Sequence, residues 1–348
     1  MRPVIQNRAS HIEFHPHPLM KNPHVQTLLG AFWQGRWPDY QAQQHQVALP
    51  DGDALVLHDD CPESWNPGDR ITMLVHGLGG CHQSNYMVRI SDKLKQIGVR
   101  CFRLDLRGCG AGKQLATRPF HAGCSDDASA AVQFLADHCP GSPCTIVGFS
   151  MGGNIVLKLA GESGAETPGN LDSAFAVAPP VDLASCCDNM SLGLNRLYDR
   201  NFVRSLIRHV KARDITHPDP DGVFFEKLPA KLREFDSTFT APLAGFDSVE
   251  DYYARASAGP LLKDIRIPTH ILTAADDPLV PIEIFSTFDL SDTISMQTAE
   301  HGGHLGFMAC YKQVADRRWM DLQVIQWIQK LGHTAAVDFN SPVRSNAS

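Results

Sequence analysis

The sequence predicts an α/β protein: a mostly parallel central sheet flanked by helices, with a helical cap inserted between two core strands. Strand and helix patterns alternate from residue 71 to residue 178, and such alternation builds a parallel sheet covered on both faces. Residues 144–153 read Cys-Thr-Ile-Val-Gly-Phe-Ser-Met-Gly-Gly, so a β-branched strand turns through a serine between glycines directly into a helical pattern. The alternation stops after Pro179-Pro180 and resumes at Ile267-Pro268. That gap is the insertion.

Each element follows in order. Residues 1–44 read as irregular, with Trp33 and Trp37 expected to pin the segment onto the domain. His45–His58 alternates around Asp51-Gly52-Asp53, a hairpin signal. The spacing then predicts strand 71–76, helix 84–97, strand 99–105, helix 124–138, strand 144–148, helix 151–162 and strand 172–178. Helix 124–138 carries Ala128, Ala131, Val132 and Leu135 on one face. Residues 182–262 are helical, irregular and rich in aromatics, and read as a cap over the sheet edge. Strands at about 269–275 and 294–298 follow, then a closing helix 317–331 that presents Met320, Val324, Trp327 and Leu331 to the core. The division is therefore a core of 1–181 and 263–332, a cap of 182–262, and a disordered tail of 333–348.

The serine junction carries chemistry. Gly148-Phe149-Ser150-Met151-Gly152, between a strand and a helix, is the context in which Gly-x-Ser-x-Gly becomes a nucleophile elbow. The tight turn holds the hydroxyl above the sheet edge, with the helix N-terminus behind it to favour developing negative charge. A serine hydroxyl needs a base, and the base an orienting acid. In the order Ser, Asp, His, the downstream candidates lie at 269–281, where a strand ends in Asp276-Asp277-Pro278, and at 301–306, His-Gly-Gly-His-Leu-Gly. Both fall past the C-terminal ends of strands, where open α/β sheets place ligand sites. Asp277 is preferred as orienter because Pro278 and Val280-Pro281 follow it, with Asp276 as the alternative. His304 is preferred over His301 because its flanking residues give a loop that can turn an imidazole toward Ser150.

An oxyanion needs two backbone N–H groups. One is expected from Met151. The other is expected from Leu78, in the glycine turn His76-Gly77-Leu78-Gly79-Gly80 after the strand at 71. His76 is read as a brace for that turn, and Arg107, in Asp105-Leu106-Arg107-Gly108, as an organiser of neighbouring loops.

Composition narrows the partners. The net charge is −7, from 31 basic and 38 acidic residues, and no long basic run exists, which argues against nucleic acid as a partner. The sequence shows no signal-peptide core and no apolar stretch long enough to span a bilayer. The ten cysteines include no Cys-x-x-Cys pair, and Cys101, Cys139 and Cys144 fall inside predicted elements. They read as small buried hydrophobes of a reduced, cytoplasmic protein. His15, His17 and His24 lack acidic or thiol partners at ligand spacing and read as surface or loop residues. No metal or other cofactor is expected.

The chain resembles the YheT-like branch of the α/β-hydrolase superfamily, which also holds yeast medium-chain fatty acid ester synthase/esterases and membrane-anchored plant and animal relatives. The markers are Asn22-Pro23-His24-Val25-Gln26-Thr27-Leu28, the His76–Gly80 loop, Arg107-Gly108-Cys109, Gly148–Asn154, Phe235-Asp236, Thr240-Ala241, Gly245-Phe246, Asp251-Tyr252-Tyr253, Asp276-Asp277-Pro278 and Gly302-Gly303-His304. The resemblance implies hydrolysis or transfer of acyl groups from esters, with Ser150, Asp277 and His304 as the triad. Unlike the eukaryotic relatives, this chain is expected to carry no N-terminal membrane anchor. The expected activity is a serine esterase acting on a small-molecule acyl ester through an acyl-enzyme on Ser150. The alternatives are an alcohol acyltransferase on the same triad and a non-catalytic binding protein on the same scaffold. The cap apolar residues Leu192, Leu194, Leu197, Tyr198, Phe202, Phe224, Phe225, Phe246, Tyr252 and Tyr253 are expected to divide between packing on the core and lining an acyl pocket.

Overall fold

The computed structural model describes residues 14–33, 38–213, 225, 227–310 and 317–332. Trp37, Phe224 and the tail from 333, on which expectations were placed above, lie outside the described residues. Eight strands form one sheet in the order β1-β2-β4-β3-β5-β6-β7-β8. They are β1 (Gln43–Ala48), β2 (Ala54–Asp60), β3 (Ile71–Val75), β4 (Arg100–Asp105), β5 (Cys144–Phe149), β6 (Leu171–Val177), β7 (Thr269–Ala274) and β8 (Ile294–Ala299). The β1–β2 hairpin pairs antiparallel around the Asp51-Gly52 turn, and β2 runs antiparallel to β4. Every pairing from β4 through β8 is parallel, as the alternation predicts.

The two faces follow from the period-two geometry of strands. Ile71, Met73 and Val75 of β3 join Phe102 and Leu104 of β4 in one core layer. Helix α3 (Ser125–His138) covers it with Ala128, Ala131, Val132 and Leu135, all fully buried. Leu74 of β3, Val147 and Phe149 of β5 and Phe175 of β6 face the opposite layer. There α2 (Asn85–Gln96) contributes Met87, Ile90 and Leu94, and the closing helix α10 (Trp319–Lys330) contributes Met320, Val324, Ile325 and Ile328. Trp327 is only partly buried, edge-on to Phe175. The inward stripe of α10 thus lies one position off the predicted one in its second half.

The N-terminal expectation is overturned. Residues 1–44 are not uniformly irregular: Pro23–Phe32 form a helix, α1. Asn22 caps it by accepting from the His24 and Val25 N–H groups, and Pro23 occupies the first turn, where its missing N–H costs nothing. Trp33 is 40% exposed. It is held through its carbonyl, which accepts from Arg318, and its ring, over which Arg317 lies at 5.9 Å.

Between β6 and β7 the chain forms α5 (Leu183–Met190), α6 (Asn195–Lys211), a run of α7 (Leu232–Phe235), a π-helical turn (Asp236–Thr240) and α8 (Ala241–Leu243), and then α9 (Val249–Ala256). This segment is tied to α4 (Met151–Ser163) by Asn154. The buried Asn154 amide donates to the Ala122 and Ala256 carbonyls, and its oxygen accepts from the Ala258 N–H.

Candidate active site

Ser150 sits between β5 and α4 with φ 53°. For a residue with a side chain this backbone region costs about 1–3 kcal/mol. The flanking glycines make the turn possible. A Cβ on Gly148 would overlap the Gly152 carbonyl, and one on Gly152 would strike the Val75 and His76 carbonyls. The Ser150 N–H donates to the Val177 carbonyl at 2.8 Å, which anchors the strained residue to the end of β6. The geometry leaves Oγ pointing off the sheet edge, where the next groups meet it.

His304 Nε2 lies 2.8 Å from Ser150 Oγ, and its Nδ1 lies 2.9 Å from Asp277 Oδ2. With the ring proton on Nδ1, the imidazole donates to Asp277 and accepts from the Ser150 hydroxyl. Asp277 Oδ1 accepts from the Leu279 and Val280 N–H groups at 2.8 and 3.0 Å. The loop that begins at Pro278 therefore locks the carboxylate. Both Asp277 and His304 are buried.

The alternatives Asp276 and His301 also meet each other, at 3.3 Å, but no bond joins them to Ser150. Asp276 instead accepts from the Gly303 N–H at 2.9 Å, bracing the loop that carries His304. A second brace was not anticipated from the sequence. The His304 N–H donates to Thr27 Oγ1 at 2.9 Å, while the Gln26 amide exchanges bonds with Met308, accepting from its N–H at 2.7 Å. Helix α1 thus clamps the histidine loop, in which Leu305 and Phe307 also hold positive φ. The only sequence signal was the Asn22–Leu28 motif, read there as a marker without a role.

Leu78 and Met151 stand at the same corner, and neither N–H donates a hydrogen bond among the described residues. His76 holds the turn before Leu78: Nδ1 donates to the Gly77 carbonyl at 2.8 Å and Nε2 accepts from the Leu106 N–H at 3.3 Å. Burial depresses its pKa, which suits a neutral brace. Arg107 is bound by Asp51, Asp53 and Asp127, each at 2.7 Å, joining the β1–β2 turn to α3. Both residues organise loops, as the sequence suggested.

Ser150, His304, Leu78 and Met151 open on a cavity of about 100 Å³. Leu183, Met190, Phe202, Leu232, Tyr252 and Tyr253 line it from the helical segment, so the wall is mostly apolar. Leu192, Leu194 and Leu197 are exposed instead. One polar group in the wall entered the sequence reading only as part of the Phe235-Asp236 marker, without a role. Asp236, in the π-helical turn, accepts from Thr240 at 2.7 Å and Tyr253 at 2.9 Å. Burial pushes its pKa up to about 6, against the pull of those two bonds.

The ten cysteines are free. His24 is not a loop residue: it sits on α1 with its Nδ1 3.1 Å from the Tyr198 hydroxyl of α6. Among the described residues, two clusters have the ligand types of a metal site, His45–Asp59–His138 and His58–His82–Asp105. In the first, Arg100 pairs with the carboxylate. In the second, both rings already bond Asp105, at 2.9 and 2.8 Å. Neither adjoins Ser150. Among the described residues no helix is long and apolar enough to cross a membrane.

The model of the Alpha/beta hydrolase family matches residues 73–317. The chain is 28% identical over 324 residues to the "Putative esterase YheT" of Escherichia coli (strain K12), covering 92% of this chain and 94% of that one. It is 27% identical over 297 residues to Phospholipase ABHD3 of Homo sapiens, covering 81% of this chain and 70% of that one. Among solved structures, the Pyrococcus furiosus esterase Pf2001 superposes with a TM-score of 0.54 at 15% identity, over 93% of this chain and all of that one. The 2,6-dihydroxy-pseudo-oxynicotine hydrolase gives 0.56 at 16% identity, over 87% and 73%. At such identities the superpositions show a shared fold.

Proposed function

The chain belongs to the alpha/beta hydrolase family, and from that premise we propose that it is a serine esterase cleaving short- to medium-chain carboxylic esters through an acyl-enzyme on Ser150. The observation that carries this reading is the unbroken line Asp277–His304–Ser150, at 2.9 and 2.8 Å, ending at an apolar cavity. The esterase and phospholipase names of the relatives agree with ester cleavage.

His304 Nε2 takes the Ser150 proton as Oγ attacks the ester carbonyl, and Asp277 stabilises the imidazolium through Nδ1–H. The N–H groups of Leu78 and Met151 receive the oxyanion, being without other acceptors. His304 then returns the proton to the departing alcohol. Water, deprotonated by the same nitrogen, releases the acid and restores Ser150. Residues 182–262 act as the cap, and Leu183, Met190, Phe202 and Leu232 hold the acyl chain.

Each buried CH₂ contributes about 0.8 kcal/mol, roughly a fourfold gain in specificity constant per carbon until the cavity ends. Specificity constants for p-nitrophenyl esters should therefore rise from acetyl to hexanoyl or octanoyl and then fall. A maximum at acetyl would remove the medium-chain assignment. A fluorophosphonate probe should label Ser150, and absence of labelling on folded protein would remove the serine mechanism. Repeating the ester panel with added alcohol measures transfer against hydrolysis.

A further inference from the structure

A second, smaller cavity of about 30 Å³ lies directly behind the Ser150 cavity, and Leu78, Met151, Asp236 and Tyr252 form part of both walls. Its far wall holds Arg213 and His209. Arg213 is 7% exposed. Its Nη2 donates to the Ala116 and Arg118 carbonyls, while Nε is buried with no partner. Among the described residues Arg213 forms no ion pair, and Asp53 is the described carboxylate whose attraction it feels, although a buried cation is ordinarily paired. Room for it is built in. Gly108, at φ +65°, has no side chain where a Cβ would overlap the Arg213 guanidinium.

His209, on the last turn of α6, and Arg213, two residues past its end, line the same cavity. The Nε2 of His209 is also buried without a partner, and the Phe120 ring holds it edge-on at 5.5 Å. Burial and the nearby Arg213 and Lys113 charges depress its pKa to about 4. The ring is then neutral, and a carboxylate placed beside Nε2 would select the tautomer that donates from it. Among the other ionisable groups on this wall, His121 is likewise depressed to about 4 by burial. Asp236 has its oxygens engaged by Thr240 and Tyr253. Among the described residues the wall therefore offers one cation without an ion-pair partner and one imidazole nitrogen without a hydrogen bond, with the Asp236 carboxyl already bonded to Thr240 and Tyr253.

We propose that this cavity is a carboxylate subsite, with Arg213 as its cation and His209 as its second donor, and that the esters turned over at Ser150 carry a carboxylate that occupies it. The volume supports that size. One water needs about 10–15 Å³ of such space, so roughly two oxygen-sized positions fit, as in a carboxylate. The substrate class is then half-esters of short dicarboxylic acids. The substrate assignment rests on the esterase reading above, whereas the anion site does not.

Two arms test it. In the first, melting temperatures of the full chain carrying Ser150→Ala are measured in sodium acetate and in sodium chloride at equal ionic strength. Acetate should raise the midpoint, and adding Arg213→Met or His209→Leu should abolish or shrink that rise. No acetate-specific rise, or an undiminished rise in a folded variant, would overturn the subsite. In the second, wild-type enzyme is given monoethyl half-esters of short dicarboxylic acids and neutral ethyl esters of equal length. A charge-assisted hydrogen bond is worth about 1.5–3 kcal/mol, so the half-ester should be favoured by about tenfold or more in kcat/KM. Equal turnover of both esters, with acetate still binding, would show that the site takes a free carboxylate and overturn the substrate assignment. Acetate binding without turnover of any ester would sink the esterase reading and leave the anion site standing.

Discussion

Two acid–histidine pairs lie side by side at the C-terminal edge of this sheet, built from adjacent aspartates and from histidines three residues apart. Asp277 and His304 are buried, 2.9 Å apart, and reach Ser150. Asp276 and His301 are partly exposed, 3.3 Å apart, and end in the loop itself. The residue types are the same, so the difference lies in direction and solvent. Asp277 is held by the Leu279 and Val280 N–H groups, which leaves one oxygen for the imidazole. Asp276 turns the other way, onto the Gly303 N–H. A carboxylate that fixes a tautomer and one that fixes a loop are separated here by one peptide bond.

The sharpest test removes the group that only one pair can reach. Ser150→Ala should abolish ester hydrolysis, on the order of a million-fold in turnover, with the melting temperature little changed because only a hydroxyl at the elbow is lost. If the variant kept a tenth of wild-type activity, neither pair would be serving that serine. Next, Asp277→Asn should cost about four orders of magnitude in kcat, since the amide favours the wrong imidazole tautomer. Asp276→Asn should cost about tenfold or less, because a loop contact weakens while the proton path is intact. The reverse ranking would exchange their roles.

A smaller effect tests the support that only His304 receives from α1. Thr27→Val removes the acceptor of the His304 N–H, and leaving a buried N–H unpaired costs about 1–3 kcal/mol. Urea unfolding should show that loss. An unchanged midpoint would mean that the clamp of α1 on this loop contributes nothing to stability.

The last test concerns the scaffold beneath both pairs. Burial lowers the pKa of His58, His76, His121, His138 and His209. The unfolded chain therefore takes up protons near the ordinary histidine value, about 6.5, that the folded chain refuses. Their contribution is complete above that value and is lost as pH falls below it. Asp236 acts oppositely: with its pKa raised to about 6, the folded chain protonates it first and gains stability as pH drops through that region. Asp127 and Asp199 are also raised by burial, so five histidines oppose three carboxyls and the urea midpoint should decline from pH 7 to pH 5. A rising midpoint would mean that buried carboxyls outweigh the histidines.

Much of this was legible in the sequence because it was local. Gly148-Phe149-Ser150-Met151-Gly152 between a strand and a helix is a backbone requirement confined to five residues, and the overlaps that exclude Cβ atoms there arise within the elbow and the strand beside it. The hairpin around Gly52 and the buried face of α3 were likewise set by periodicity over a few turns. Helix α1 was missed although Asn22-Pro23 is a helix-start signal and Val25, Leu28, Leu29 and Phe32 follow it at helical spacing; the face it buries is instead Gln26, Thr27 and Gly30.

What the sequence could not decide was anything that depends on partners distant in the chain. The choice of Asp277 over Asp276 rested on the loop sequence, yet the contacts that separate them run to residues 27 positions away, His304 and Gly303 respectively. Thr27 meets His304 across 277 residues. Asp236, Arg213 and His209 look like ordinary polar residues of helical runs until folding places them around cavities beside Ser150. Local propensity and pattern are read from neighbours along the chain. Burial, hydrogen-bond direction and the absence of a counter-charge are properties of neighbours in space, and only the packing of the helical segment against the sheet edge creates them.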